Sequence, residues 1–200
     1  MGLRVRGAVL AACWVVATSA GAEDVKRAEE IVGGRCFLCH GMEGEAASAL
    51  YPRLASQHAE YIAKQLADFK SGRRKSDTMA GMVADLTPDE MKSLGLYFQA
   101  KPARHGEAGD ADLAGVGRYI FTKSNPYSGV AACTACHGGK GHGTPQLRRL
   151  AGQQALYLEN QLKQFNTRER TNDNAVMHSI ASKLTELELK AVSAYISTLD

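Results

Sequence analysis

The sequence predicts an all-α protein built from two tandem homologous domains, and three observations carry that reading. Apolar residues recur at helical spacing, and no alternating apolar/polar stretch of useful length marks a strand. The chain also repeats itself. Shifted by 96 residues, Arg53-Leu54-Ala55 falls on Arg149-Leu150-Ala151, Gln57 on Gln153, Tyr61 on Tyr157, Gln65-Leu66 on Gln161-Leu162 and Phe69 on Phe165. Finally, the pattern Cys-x-x-Cys-His occurs at Cys36 to His40 and again at Cys133 to His137, a shift of 97. Nearer the C-terminus the shift is 98, pairing Leu86-Thr87 with Leu184-Thr185, Glu90 with Glu188 and Tyr97 with Tyr195, so small loop indels explain the drift. The expected organisation is a signal peptide over 1–22, a first domain over 23–101, a linker over 102–111 containing Pro102, Gly106 and Gly109, and a second domain over 112–200.

At the N-terminus, Arg4 and Arg6 precede an apolar run from Ala8 to Ala17, and Ala20-Gly21-Ala22 offers an A-x-A cleavage site. The run is shorter than the roughly 20 residues of a spanning helix, so it reads as an export signal cleaved near Ala22, with a mature periplasmic chain. An alternative is lipoprotein processing at Cys13 after Leu10-Ala11-Ala12, which would tether the chain to the membrane. Apolar residues continuing through Val15 and Val16 weigh against it. Peripheral membrane association remains compatible with either reading, and a monomer is expected.

The mature elements follow in order. Val25 to Val32 is a short opening helix ahead of the first Cys-x-x-Cys-His motif. Gln57 to Lys70 places Tyr61, Ile62, Leu66 and Phe69 at helical spacing, and Gln153 to Asn166 repeats it. The closing helices begin with capping boxes, Thr87-Pro88-Asp89-Glu90 and Thr185-Glu186-Leu187-Glu188, with Pro88 in the favoured first position. Met91, Leu94 and Phe98 line one face of the first closing helix, and Leu189, Val192 and Ile196 line the second. Each closing helix is expected to pack on its own domain's opening helix.

The chemistry resides in the repeated motif. A single CxxC could be a redox disulfide or half of a zinc site. Here each pair carries its own His, and the pairs lie almost a hundred residues apart in an exported chain, which points instead to two c-type haem attachment sites. Cys36, Cys39, Cys133 and Cys136 would form thioethers with haem vinyl groups, and His40 and His137 would be the proximal iron ligands. Once Cys13 leaves with the signal peptide, the remaining four of the five cysteines all lie in these motifs, so no disulfide framework is available. Each domain is small enough that the haem supplies a large share of its core. Loss of Arg4 and Arg6 removes two charges from the formal +3, and haem propionates would turn the holoprotein acidic. Nothing in the charge pattern suggests nucleic acid.

The sixth iron ligand separates carrier from catalyst, since an open face binds small molecules. The first copy offers Met79 and Met82. Met79 stands seven residues before Leu86 and Met177 seven before Leu184, whereas Met82 aligns with Ile180, which cannot bind iron. Met79 and Met177 are therefore the expected ligands. His/Met ligation raises the reduction potential and leaves no open position, which describes a one-electron carrier and not an enzyme. His58, His105, His142 and His178 do not recur in both copies and read as solvent-facing, with His178, beside Met177, the one alternative ligand. Arg73-Arg74-Lys75 and the pair Arg168 and Arg170 lie in loops and read as solvated surface in preference to a docking patch for a redox partner.

With both Cys-x-x-Cys-His motifs, the segments Tyr51 to Gln57 and Leu150 to Gln153, and the Met79 and Met177 positions in view, the chain resembles the diheme cytochromes c of the cytochrome c4 family over essentially its whole mature length. The resemblance implies two class I cytochrome c domains related by a pseudo-twofold axis, with haem propionates approaching each other at the interface. It also implies electron transfer from a quinol-oxidising complex or soluble donor to a terminal oxidase. The alternative is the electron-accepting cytochrome subunit of a periplasmic dehydrogenase, such as one oxidising sulfur compounds. A diheme peroxidase is disfavoured by the paired methionines. In such domains the carbonyl of a proline similar to Pro52 would accept the Nδ1 proton of His40. The second copy has Arg148 there, with Pro145 three residues earlier, so a different carbonyl or a shifted loop is expected to orient His137. The family's turn glycine is Ser56 in the first copy. An insertion between Phe121 and Cys133, including Asn125 to Gly129, is expected to make the two haems inequivalent.

Overall fold

Among the described residues, ten α-helices fall into two similar sets of five, α1–α5 and α6–α10, each enclosing its own apolar core. The computed structural model describes residues 20–106 and 110–200; Arg4, Arg6 and Cys13 of the expected export signal, and Gly109 of the linker, lie outside the described residues. Among the described residues the only strand-like feature is an isolated bridge between Asn125 and Val130.

The opening helix α1 spans Ala20–Ile31, longer than its sequence pattern suggested. It does not stop there: a π-helical turn, Val32–Cys36, carries it directly into α2, Phe37–His40. That wide turn places Cys36 half-buried beneath the helix that precedes it, its Sγ 3.7 Å from the Ile31 carbonyl. The chain then turns sharply at Gly41, whose φ of 76° and ψ of 162° lie in a region open essentially to glycine alone. Gly138 does the same after His137, with φ 78° and ψ 159°.

In the first domain α3 (Ala59–Lys70), α4 (Asp77–Val83) and α5 (Pro88–Gln99) complete the set. The second has α6 (Ala111–Thr122), α7 (Thr134–His137), α8 (Ala155–Asn166), α9 (Val176–Ala181) and α10 (Glu186–Ser197). Both expected capping boxes form, with Thr87 and Glu90 on α5 and Thr185 and Glu188 on α10 exchanging side-chain to backbone bonds. Each closing helix packs on its opening helix, α5 on α1 and α10 on α6. At the second crossing Gly117 lets the backbones meet, because a Cβ there would lie 1.9 Å from the Ala191 carbonyl oxygen. The cores are equivalent: Ile62, Phe69, Leu94 and Phe98 in one, Leu158, Phe165, Val192 and Ile196 in the other.

The insertion before Cys133 is a tight loop closed by Asn125. Its backbone N–H donates to Val130 (2.8 Å), its side-chain oxygen accepts from Tyr127 N–H, and its side-chain amide donates to Glu188. Tyr127 at its tip is 99% exposed. The linker adheres to the second domain, with Gly106 N–H donating to the Ser197 carbonyl.

The two domains meet through reciprocal glutamine clamps. Gln57 Oε1 accepts from Arg149 N–H (2.8 Å) and its Nε2 donates to Arg149 O (2.9 Å); Gln153 makes the same pair of bonds to Arg53 (2.8 and 2.9 Å). These residues are related by the 96-residue shift, so the interface itself is pseudo-twofold.

Candidate functional site

Each domain encloses an apolar cavity, of about 400 Å³ in the first and about 420 Å³ in the second. The first brings together Cys36, Cys39, His40 and Met79 against Ile62, Leu66, Phe69, Leu94 and Phe98. The second brings together Cys133, Cys136, His137 and Met177 against Leu158, Leu162, Phe165, Val192 and Ile196. All eight residues expected from sequence therefore line the cavities, four in each. Met79 and Met177 are half-buried and pack on their cores. Met82 and Ile180, the other pair related by the repeat, line the same walls, and Met82 is largely exposed.

Two features prepare the imidazoles to bind a metal. Burial keeps His40 and His137 neutral: His40 is held below the ordinary histidine range, and His137, with the Arg148 charge adding to burial, is pushed down to about 4. Each ring then gives its Nδ1 proton to a backbone carbonyl, His40 to Pro52 (3.0 Å) and His137 to Arg148 (3.2 Å), which leaves Nε2 as the free lone pair. The second contact corrects the expectation of a different carbonyl or shifted loop. Arg148 occupies the register position of Pro52, and a carbonyl serves whichever side chain it carries.

Cys36 and Cys133 sit in surroundings unlike those of redox-active cysteines. Cys36, Cys39, Cys133 and Cys136 are all unpaired. Burial raises the Cys36 thiol and pushes Cys133 up to about 11, the reverse of the depressed values that activate disulfide exchange.

Between the cavities lies a polar layer that the sequence reading placed in solvent. Arg74 and Arg170 are buried, 9% and 4% exposed. Arg74 donates to Gln65 in its own domain and to Gln161 and Tyr157 across the interface; Arg170 donates to Gln161 and, across, to Gln65 and Tyr61. The two sets are the same bonds under the 96-residue shift. Arg73 does face solvent, where it pairs with Asp68. The signal that could have found the buried pair is their spacing, five residues after Phe69 and Phe165 respectively. His178 is likewise half-buried, not solvent-facing. Its Nδ1 is hydrogen-bonded to the Phe165 carbonyl (2.9 Å), and it is absent from the cavity lining. His58 and His142 join the domain contact, His58 Nε2 lying 2.7 Å from the His142 carbonyl.

Charge balance tests whether the expected group fits. Burial alone would raise the Tyr61 phenol, yet Arg170, Arg148 and Arg74 pull it down to about 7. No carboxylate lies within ion-pair distance of any of these three guanidiniums among the described residues. A porphyrin bearing two propionates would supply carboxylates, and the two thiols, the neutral imidazole and the apolar walls of each cavity would accommodate its ring. The residues fit haem c in both domains.

Comparison with known proteins agrees with this fit. A family model described as Cytochrome c matches residues 127–200. The chain is 38% identical over 180 residues to a cytochrome c4 of Thiocapsa roseopersicina, covering 88% of this chain and 93% of that one. It is 36% identical over 169 residues to a thiosulfate dehydrogenase electron acceptor of Stutzerimonas stutzeri, covering 82% and 78%. Among solved structures, a reduced recombinant cytochrome c4 from Pseudomonas stutzeri superimposes with a TM-score of 0.83 at 32% identity, covering 88% of this chain and 98% of that chain.

Proposed function

The chain belongs to the cytochrome c4 family of diheme c-type cytochromes, and on that premise we propose that it carries single electrons in the periplasm toward a terminal oxidase, His40 with Met79 and His137 with Met177 ligating its two irons. Members of this family are electron carriers and hold two covalently attached haems. One observation supports the ligand assignment above others: each cavity joins a buried, carbonyl-anchored imidazole to a methionine at the equivalent repeat position. When bound, haem supplies a one-electron iron couple. The protein's part is to hold the imidazole lone pair and the thioether at fixed positions, exclude water with the apolar walls, and so keep the site from rearranging between oxidation states.

Spectroscopy of the periplasmically matured protein tests this. Two covalent haems that ignore carbon monoxide when reduced are expected. Met79→Ala and Met177→Ala should each open one haem to carbon monoxide while both stay attached; unchanged ligand binding in both variants sinks the assignment. A second reading, as the electron acceptor of a periplasmic dehydrogenase, is favoured by the similarity to the thiosulfate dehydrogenase electron acceptor. Co-purification with a catalytic subunit, and reduction by it, would support that reading over delivery to an oxidase.

A further inference from the structure

The interface holds three buried guanidiniums, and one of them breaks the repeat. Arg74 and Arg170 are equivalent and fully engaged with glutamine and tyrosine. Arg148, also 9% exposed, corresponds to Pro52 in the first domain and has no symmetry mate. Its Nη1 is buried and has no hydrogen-bond partner. Arg170 and Arg74 repel its charge, the phenols of Tyr61 and Tyr157 favour it, and its guanidinium lies 5.8 Å from the centre of the Phe165 ring, but no carboxylate faces it at ion-pair distance among the described residues. Arg53 also has a buried unpartnered nitrogen, Nε, but its Nη1 donates to the Gly152 carbonyl (2.5 Å).

Position makes Arg148 more than an unpaired cation. It lines both cavities, a property it shares with Tyr61, Gln65, Leu150 and Leu158. A guanidinium does not shed its proton, and a buried charge without a counter-charge is strongly destabilising. The site therefore calls for an anion from the cavities themselves.

We propose that Arg148 is a counter-cation shared by the two haems, its planar fork of N–H groups donating to a propionate carboxylate from each cavity. The proposal rests on the reading that both cavities hold haem. One positive charge placed against both groups favours the reduced state of both irons, so a residue of the second domain helps set the potential of the first domain's haem. Arg148 acts as a positioning and electrostatic residue and does not touch iron.

The test is a spectroelectrochemical titration of the matured diheme protein at one pH and ionic strength. In Arg148→Met the reduced-to-oxidised ratio of both haems at a fixed potential should fall at least threefold, which is about 28 mV at 59 mV per tenfold for one electron. Arg148→Lys, which keeps the charge, should stay within twofold of the parent. Arg148→Pro copies the residue already tolerated at Pro52 and keeps a carbonyl for His137, so it should behave like Arg148→Met. If both charge-removing variants leave the potentials unchanged, or move only one haem, Arg148 merely supports its own domain's loop and the proposal is wrong. Haem stoichiometry of the parent separates this from the underlying reading, because fewer than two haems per chain would overturn that reading whatever Arg148 does.

Discussion

The glutamine clamps make the sharpest prediction about how the two domains hold together. In Gln57→Ala the backbone N–H and C=O of Arg149 lose partners at 2.8 and 2.9 Å, and Gln57 itself is buried at 6% exposure. Each buried polar group left unmade costs about 1–3 kcal/mol, and water entering the gap favours the lower half of that range. The sum is roughly 2–4 kcal/mol, which for a chain of this size lowers the unfolding midpoint by on the order of 10 °C. Gln153→Ala removes the mirror pair from Arg53 and should cost the same. The double variant should separate one unfolding transition into two, because each domain keeps its own core while the connection between them is reduced to contacts such as those of Arg74, Arg170 and His58. Thermal unfolding followed separately by far-ultraviolet dichroism and haem absorbance reads both effects. Single variants within 2 °C of the parent, together with a double variant that still unfolds in one step, would refute the claim that these clamps join the domains.

Two further outcomes follow from particular residues. Ser56 sits at φ 59° where its counterpart Gly152 sits at φ 71°. Ser56→Gly relieves left-handed strain of about 1–2 kcal/mol and gives back about 0.4–1 through the unfolded chain, so a net gain of roughly 0.5–1 kcal/mol is expected in denaturant titration. Gly152→Ser should do the opposite and more strongly, since a Cβ there would lie 1.9 Å from the Arg104 carbonyl oxygen. Asp68 gives the acid limb of stability. Burial would raise its carboxyl, but Lys64, Asn172 and Arg73 together hold it below the ordinary value of 3.8. A depressed folded-state value stabilises above the unfolded value and is lost as pH falls through the folded one, so stability should decline below about pH 4. Asp68→Asn should flatten that decline in pH-dependent unfolding; an unaltered acid limb would assign it to other groups.

Much of this molecule is local, and local features are legible in sequence. The Cys-x-x-Cys-His motifs carry their own geometry, because two thiols and an imidazole must follow one another within five residues to meet one porphyrin. The capping boxes likewise satisfy neighbouring amides, and Thr87 and Thr185 need nothing from the rest of the chain. Met79 and Met177 were reachable because duplication supplies a comparison: two methionines sharing a register in both copies stand out from Met82, which does not. The π-helical turn before Cys36 was not legible, since its cause is the fit of one helix running straight into the next.

The interface is the part that sequence concealed. Arg74 and Arg170 look like solvated loop charges because polarity alone assigns them to water, and their partners across the interface, Gln161 and Tyr157 for one and Gln65 and Tyr61 for the other, lie about a hundred residues away. Only when the two domains face each other do those glutamines and tyrosines replace water around the guanidiniums. Sequence by itself determined the helical class, the duplication and the residues facing each cavity, all of which arise from short-range spacing. Tertiary structure decided which charges are buried between the cavities, because burial there depends on where the opposite domain comes to rest.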